Sequence, residues 1–437
     1  MSPQASSFIA GPGGRVSGEI RVPGDKSISH RAVMLGAIAQ GITEVNGFLD
    51  GDDCLATLAA FETMGVRVER PAADRLIVHG VGLRGLKAPS TALDLGNSGT
   101  GMRLLAGILC GQEFNSVLTG DQSLMRRPMD RVGVQLRRMG ARFRTRDGRP
   151  PIEITGSRTL QGVAHELDVP SAQVKSAILL AGLYASGRTL VIEPTPTRDH
   201  TERMLEAFGV PVLRDGAEIS IRGPAVPQGC HIDVPGDFSS AAFFIVAGLI
   251  AGSSPLLIRG VGVNPTRTGL LEILRLMGAD IRLLATRDLS GEPVADLEVR
   301  PGPLRGITVP HELVASAIDE FPVLFAAAAV ASGDTIVTGA AELRVKESDR
   351  ISAMAEGLQR LGVNAEALPD GMQVRGGAVG GGIIESRADH RVAMSFAVLA
   401  ACASAPVIIR DVRPVATSFP GFAATARDAG LLLGEEA

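Results

Sequence analysis

Six copies of one local pattern predict an α/β protein in which helices and short strands alternate. Each copy opens with a small-residue apolar helical stretch, a break that usually contains Gly, and a short β-branched run, at 34–45, 103–114, 178–192, 243–258, 324–337 and 395–409. Each then carries a second helical stretch that closes on a phrase centred on Gly65, Gly140, Gly209, Gly278, Gly362 or Gly430. A Gly in that place reads as a helix C-cap that turns the chain into a strand, and a repeat of about 70 residues outranks any single motif. Polar residues supply the third observation: they gather where helices begin, while the helix bodies are Ala, Leu, Gly, Val and Ile.

With 437 residues the chain has room for two or three domains. At 45% hydrophobic and 21% charged it can bury large cores. A net charge of −4 argues against bulk attraction to nucleic acid, and one Tyr with no Trp argues against base stacking. The longest apolar runs, 241–252 and 323–331, are too short for a membrane span, and no basic region precedes an apolar segment at the N-terminus. A soluble, cytoplasmic protein is expected. Cys54, Cys110, Cys230 and Cys402 have neither zinc nor redox spacing, and the seven His are dispersed, so no metal and no cofactor are expected. Lysine occurs only at 26, 87, 175 and 346. Three of the four lie in the polar segments, which hints at a need for a compact, titratable amine there.

In chain order, 8–22 reads as strand. The stretch PGDKSISHR (23–31) starts a helix with Ser27 or Ser29 as N-cap. Lys26 and Arg31, one turn apart at that helix start, suit a phosphate or carboxylate. Asp50 or Asp52 caps the next helix, and strands follow at 67–70 and 75–78. The glycines of GNSGTG (96–101) permit close approach of backbone to a ligand, with Arg103 just inside the helix; neither a Walker A loop nor a dinucleotide fingerprint is present. Arg126 and Arg127 precede Pro128, read as a first helical residue. Ser171 caps a helix whose first turn holds Gln173 and Lys175. Arg198 and His200 open another, and His200 reads as structural. Further helix starts follow at 235–240, 264–269, 316–322, 343–350 and 387–391. If these ends converge, Lys26, Arg31, Arg127, Arg350 and Arg391 face one cleft with Asp319 and Glu347. Cations around two carboxylates fit a polyanionic small substrate and acid–base chemistry.

The motifs PGDKSISHR, LGNSGTGMR, RRP, SAQVKSA, RVKESDR and DHRVAMSF, in this order across about 13–422, resemble the enolpyruvyl transferases, most closely the branch that acts on shikimate-3-phosphate. The resemblance implies six βαβαββ repeats, three per domain, in a two-domain fold of the inside-out α/β barrel kind. It places the crossings near Val22 and Asp237, giving one domain of 1–22 plus 237–437 and an inserted one of 23–236. It implies transfer of the enolpyruvyl group of phosphoenolpyruvate to the 5-hydroxyl of shikimate-3-phosphate, with glyphosate as a family inhibitor. Carried across by motif, Asp319, Glu347 and Lys26 are catalytic. Lys26, Ser27, Arg31, Ser171, Gln173, Arg198, Asp319 and Lys346 match the shikimate-3-phosphate site. Lys26, Gly99, Arg127, Gln173, Arg350 and Arg391 match the phosphoenolpyruvate site. Departures from the pattern are Thr417 in place of a Lys, Ala172 within 171–173, and the replacement of a Tyr around Thr197-Arg198. The sister activity, transfer to UDP-N-acetylglucosamine, typically uses a Cys on a mobile loop, and 119–128 has none. A non-catalytic anion-binding scaffold would not need Asp319 and Glu347 among so many cations. A monomer is expected, with no nucleic-acid or membrane partner.

Overall fold

The computed structural model describes residues 6–436, which form two compact units. The inserted unit is Gly24–Val234 with Leu289–Glu292. The discontinuous unit takes the chain up to Pro23, then Pro235–Asp288, then everything from Pro293. Each has its own apolar core and three small sheets.

The inserted unit contains helices α1 (Lys26–Ile38), α2 (Asp52–Thr63), α3 (Gly99–Leu109), α4 (Asp130–Arg138), α5 (Ala172–Gly182) and α6 (His200–Ala207). In α1, α3 and α5 nearly every residue is buried. A helix without a wet face can carry polar groups only at its ends, which explains the bland bodies. A Cβ on Gly107 of α3 would lie 2.3 Å from the Ala177 carbonyl oxygen, so α3 and α5 pack backbone to backbone. One sheet shows the shared order: Leu93–Asp94 runs parallel to Ser116–Thr119, which is antiparallel to Arg149–Thr155, itself antiparallel to Arg142–Arg146. With α3 and α4 interposed this is βαβαββ. The first repeat takes its first strand from the far end of the insert, where His231–Asp233 pairs in parallel with Gln40–Asn46.

The discontinuous unit contains α7 (Phe238–Ile250), α8 (Gly269–Leu276), α9 (Val314–Ala317), α10 (Phe321–Ala328), α11 (Arg350–Arg360), α12 (His390–Leu399) and α13 (Phe422–Asp428). Residues 8–22 are not one strand but two, in different sheets. Ser7–Ala10 lies between Val407–Arg410 and Leu433–Glu436, antiparallel to both, while Val16–Arg21 runs parallel to Gly252–Gly262. The Gly-rich stretch 11–14 separates them, with Gly13 at φ 84.

The six repeat glycines all have left-handed backbone, from φ 77 at Gly209 to φ 102 at Gly278. At each, the Gly N–H donates three residues back and the next N–H donates five back, as in Gly65 to Glu62 and Val66 to Phe61. This doubly bonded helix end requires a positive φ that only Gly adopts without strain. Three start signals resolve differently. The N-cap of α1 is Asp25, whose carboxylate accepts from the Ile28 N–H at 2.9 Å, and the Ser29 hydroxyl accepts from Leu49 instead. The N-cap of α2 is Gly51, because Asp50 is drawn to Arg70 at 2.6 Å. Pro128 lies outside α4, which begins at Asp130.

Candidate active site

In the inserted unit the helix starts come together through side chains. Lys26 donates to Asp53 Oδ2 at 3.1 Å. Arg31 is buried, and its guanidinium donates to the Thr201 hydroxyl at 2.6 Å, the Ser176 hydroxyl at 2.8 Å and the Ser27 carbonyl at 2.8 Å. Burial pulls its pKa down to about 10; nearby Glu202 opposes that and Arg198 adds to it. His30 contacts the Thr57 hydroxyl at 2.8 Å and faces the Ser98 hydroxyl at 3.4 Å, so it ties together the starts of α1, α2 and α3. Burial, then the Lys26 and Arg31 charges, push its pKa down to about 3 and keep it neutral.

A second cluster joins α3, α5 and the chain before α4. Ser98 caps α3, its hydroxyl accepting from the Gly101 N–H at 2.9 Å. Arg103 donates to Gln173 Oε1 at 2.6 Å, and Gln173 Nε2 donates to the Thr100 hydroxyl at 2.8 Å. Arg127 donates to Asn97 Oδ1 at 2.5 Å. A Cβ on Gly99 would stand 3.0 Å from both Arg103 Nη1 and Arg127 Nη1, so this Gly lies under two guanidinium groups. Ser171 caps α5, accepting from the Val174 N–H at 3.4 Å. Arg198 is half-buried and close enough to act on Arg31.

The discontinuous unit gathers the remaining residues. Asp319 meets Lys346 at 3.1 Å, Arg350 at 3.6 Å and Arg267 at 3.9 Å. Arg350 is 1% exposed and meets Glu347 at 2.6 Å and Asp389 at 2.8 Å. Burial works against its charge, but Asp389, Glu347 and Asp319 outweigh that and lift its pKa above the ordinary guanidinium range. Its Nη1, the nitrogen nearest Asp319, makes no hydrogen bond among the described residues. Arg391 donates to the Asp319 carbonyl at 2.9 Å and the Ser239 hydroxyl at 3.2 Å, with buried Glu320 at 3.6 Å. Before α12, Arg387 and Ala388 both adopt left-handed backbone, φ 57 and 54, at about 1–3 kcal/mol each. That turn delivers Asp389, which caps α12 and holds Arg350. Thr417 turns its hydroxyl to the Pro414 carbonyl at 2.7 Å.

The sequence reading leaves Asp53, Arg267, Glu320 and Asp389 out of the site. Each sits at a helix start beside a residue it did single out. Position was therefore the available signal, but the pairings span 27 residues for Lys26 and Asp53 to 71 for Glu320 and Arg391, and no local pattern encodes them. Cys110 is buried, and burial pushes its thiol up to about 12, which leaves no thiolate for acid–base or nucleophilic work. Among the described residues, no helix is long and apolar enough to cross a membrane, and no group of three His, Cys, Asp or Glu could hold a metal ion.

Residues 11–425 match the family described as EPSP synthase (3-phosphoshikimate 1-carboxyvinyltransferase). A relative from Methylococcus capsulatus named 3-phosphoshikimate 1-carboxyvinyltransferase is 59% identical over 425 residues, covering 97% of each chain. One of the same name from Nitrosococcus oceani is 54% identical over 434 residues, covering 99% of this chain and 98% of the relative. The solved EPSP synthase of Acinetobacter baumannii aligns with TM-score 0.88 at 50% identity, covering 99% of this chain and all of that one. An enolpyruvyl transferase from Streptomyces tendae, 18% identical with TM-score 0.78 over 99% of both chains, shares the fold.

Proposed function

We propose a division of labour for a chain that belongs to the EPSP synthase (3-phosphoshikimate 1-carboxyvinyltransferase) family. It transfers the enolpyruvyl group of phosphoenolpyruvate to the 5-hydroxyl of shikimate-3-phosphate and releases phosphate, a step of the shikimate pathway to aromatic amino acids. In our assignment Asp319 takes the hydroxyl proton as the oxygen attacks C2, and Glu347 gives a proton to C3. Glu347 later removes a proton from C3 as phosphate leaves the tetrahedral intermediate. Lys26 offsets charge on the phosphate or carboxylate beside it. Lys26, Ser27, Arg31, Ser171, Gln173, Arg198, Asp319 and Lys346 hold shikimate-3-phosphate. Lys26, Gly99, Arg127, Gln173, Arg350 and Arg391 hold phosphoenolpyruvate.

One observation carries the reading: Asp319 and Glu347 lie against the same buried guanidinium, Arg350, at 3.6 and 2.6 Å. One carboxylate must gain a proton while the other loses one. A shared fixed cation serves whichever is charged, with no reorganisation between steps. The test is phosphate release from phosphoenolpyruvate, with shikimate-3-phosphate as acceptor and UDP-N-acetylglucosamine as the rival. Release with the first acceptor alone is expected; release with the second would move the chain to the sister activity. The same reading makes the enzyme a cytoplasmic monomer of 45.4 kDa, which sedimentation checks.

A further inference from the structure

Lys175, in the first turn of α5, is 1% exposed and sits between two buried carboxylates, Glu193 Oε2 at 2.6 Å and Glu202 Oε1 at 2.7 Å. A buried ion cluster is weak evidence for stability, because apolar residues of similar size often serve as well. Its neighbours suggest another reason for it. On one side, Lys175 Nζ lies 3.4 Å from the Thr197 carbonyl oxygen, while the Thr197 hydroxyl donates to Glu193 Oε1. The residue before Arg198 is thus held by both its backbone and its side chain. On the other side, the Lys175–Glu202 pair fastens α5 to α6 where the adjacent residues, Ser176 and Thr201, hydrogen-bond to each other at 2.7 Å and both receive Arg31.

We infer that the Lys175–Glu193–Glu202 triad is a positioning device for shikimate-3-phosphate, setting in register two of the cations assigned to it, Arg31 and Arg198. This rests on the site assignment above. The triad touches no substrate. It acts through Ser176 and Thr201 on Arg31, and through Thr197 on Arg198. Its loss should therefore weaken one substrate and spare the other.

The experiment is steady-state kinetics with both substrates varied. Thr197→Val removes one hydrogen bond of the clamp and should raise KM for shikimate-3-phosphate about 2–10-fold, the worth of one such bond. KM for phosphoenolpyruvate should stay within about twofold and kcat within about threefold on the same scale. Glu193→Ala should raise the same KM at least as much. Glu193→Gln, which keeps an oxygen acceptor for Thr197, should recover most of the loss. Lys175→Met should give the largest rise, about tenfold or more, since both arms go. If Lys175→Met does not fold, the Thr197 and Glu193 variants decide alone. Unchanged KM for shikimate-3-phosphate in Thr197→Val and Glu193→Ala overturns the inference, as does an equal rise in both KM values. An Arg198→Ala variant that keeps the wild-type KM for shikimate-3-phosphate overturns the site assignment instead, so the two failures are distinct.

Discussion

Arg350 is the residue on which the acid–base assignment turns, because both carboxylates assigned to proton transfer lie against its guanidinium, which Asp389 also holds. Glu347→Gln keeps the shape and one hydrogen bond to Arg350 but cannot give and take a proton in turn. Turnover should fall about 10²–10⁴-fold, the usual worth of a general acid–base group, with both KM values nearly kept. Turnover near wild type would remove Glu347 from the chemistry. Arg127→Ala should instead raise KM for phosphoenolpyruvate through the loss of charge-assisted hydrogen bonds. Gly99→Ala is a finer probe. Its methyl group would stand 3.0 Å from Arg103 Nη1 and Arg127 Nη1, so both guanidinium tips must give way. Glyphosate is longer than phosphoenolpyruvate and tolerates such crowding less. Its inhibition constant should rise by a larger factor than KM for phosphoenolpyruvate, and equal factors would refute the steric account. At this scale the sequence was legible in which charged residues gather, as with Asp319, Lys346, Glu347 and Arg350. It was silent on partners. Nothing near Lys26 in sequence points to Asp53, and Arg267 and Glu320 look like ordinary surface charges until they are found buried.

The elements were more legible at their ends than at their beginnings. A Gly that must adopt positive φ has few substitutes, so all six C-caps could be read directly. N-caps are chemically degenerate: Asp, Ser, Thr and Asn all serve, and Asp25 took the place given to Ser27 or Ser29. His30, buried where three helices start, makes a testable statement about pH. Its pKa is about 3 in the folded chain against an ordinary 6.5. Between those values the unfolded chain binds a proton that the folded chain refuses. Stability is therefore lost as pH falls below about 6.5, by at most about 1.4 kcal/mol per pH unit, and the loss levels off near pH 3. His30→Gln removes this term. The advantage of wild type over the variant, measured by denaturant unfolding, should shrink by about 2 kcal/mol from pH 7 to pH 5. His165, also pushed down by burial, to about 4, is common to both proteins and cancels. A constant difference across that range would mean that His30 titrates normally.

Across the whole molecule, the assignment draws on cations from both units. Repeat number and period were legible because each copy spells the same phrase. The exchange of strands between chain ends was not, because strand partners several hundred residues apart leave no mark in a local window. That exchange governs how the chain is made. Ser7–Ala10 is made well before its neighbours, Val407–Arg410 and Leu433–Glu436. It must wait for them to emerge, while the inserted unit can complete its first sheet as soon as His231–Asp233 does. Chains arrested once Leu289–Glu292 has emerged should already hold a protease-resistant inserted unit. Chains lacking both neighbours should have Ser7–Ala10 open to cleavage.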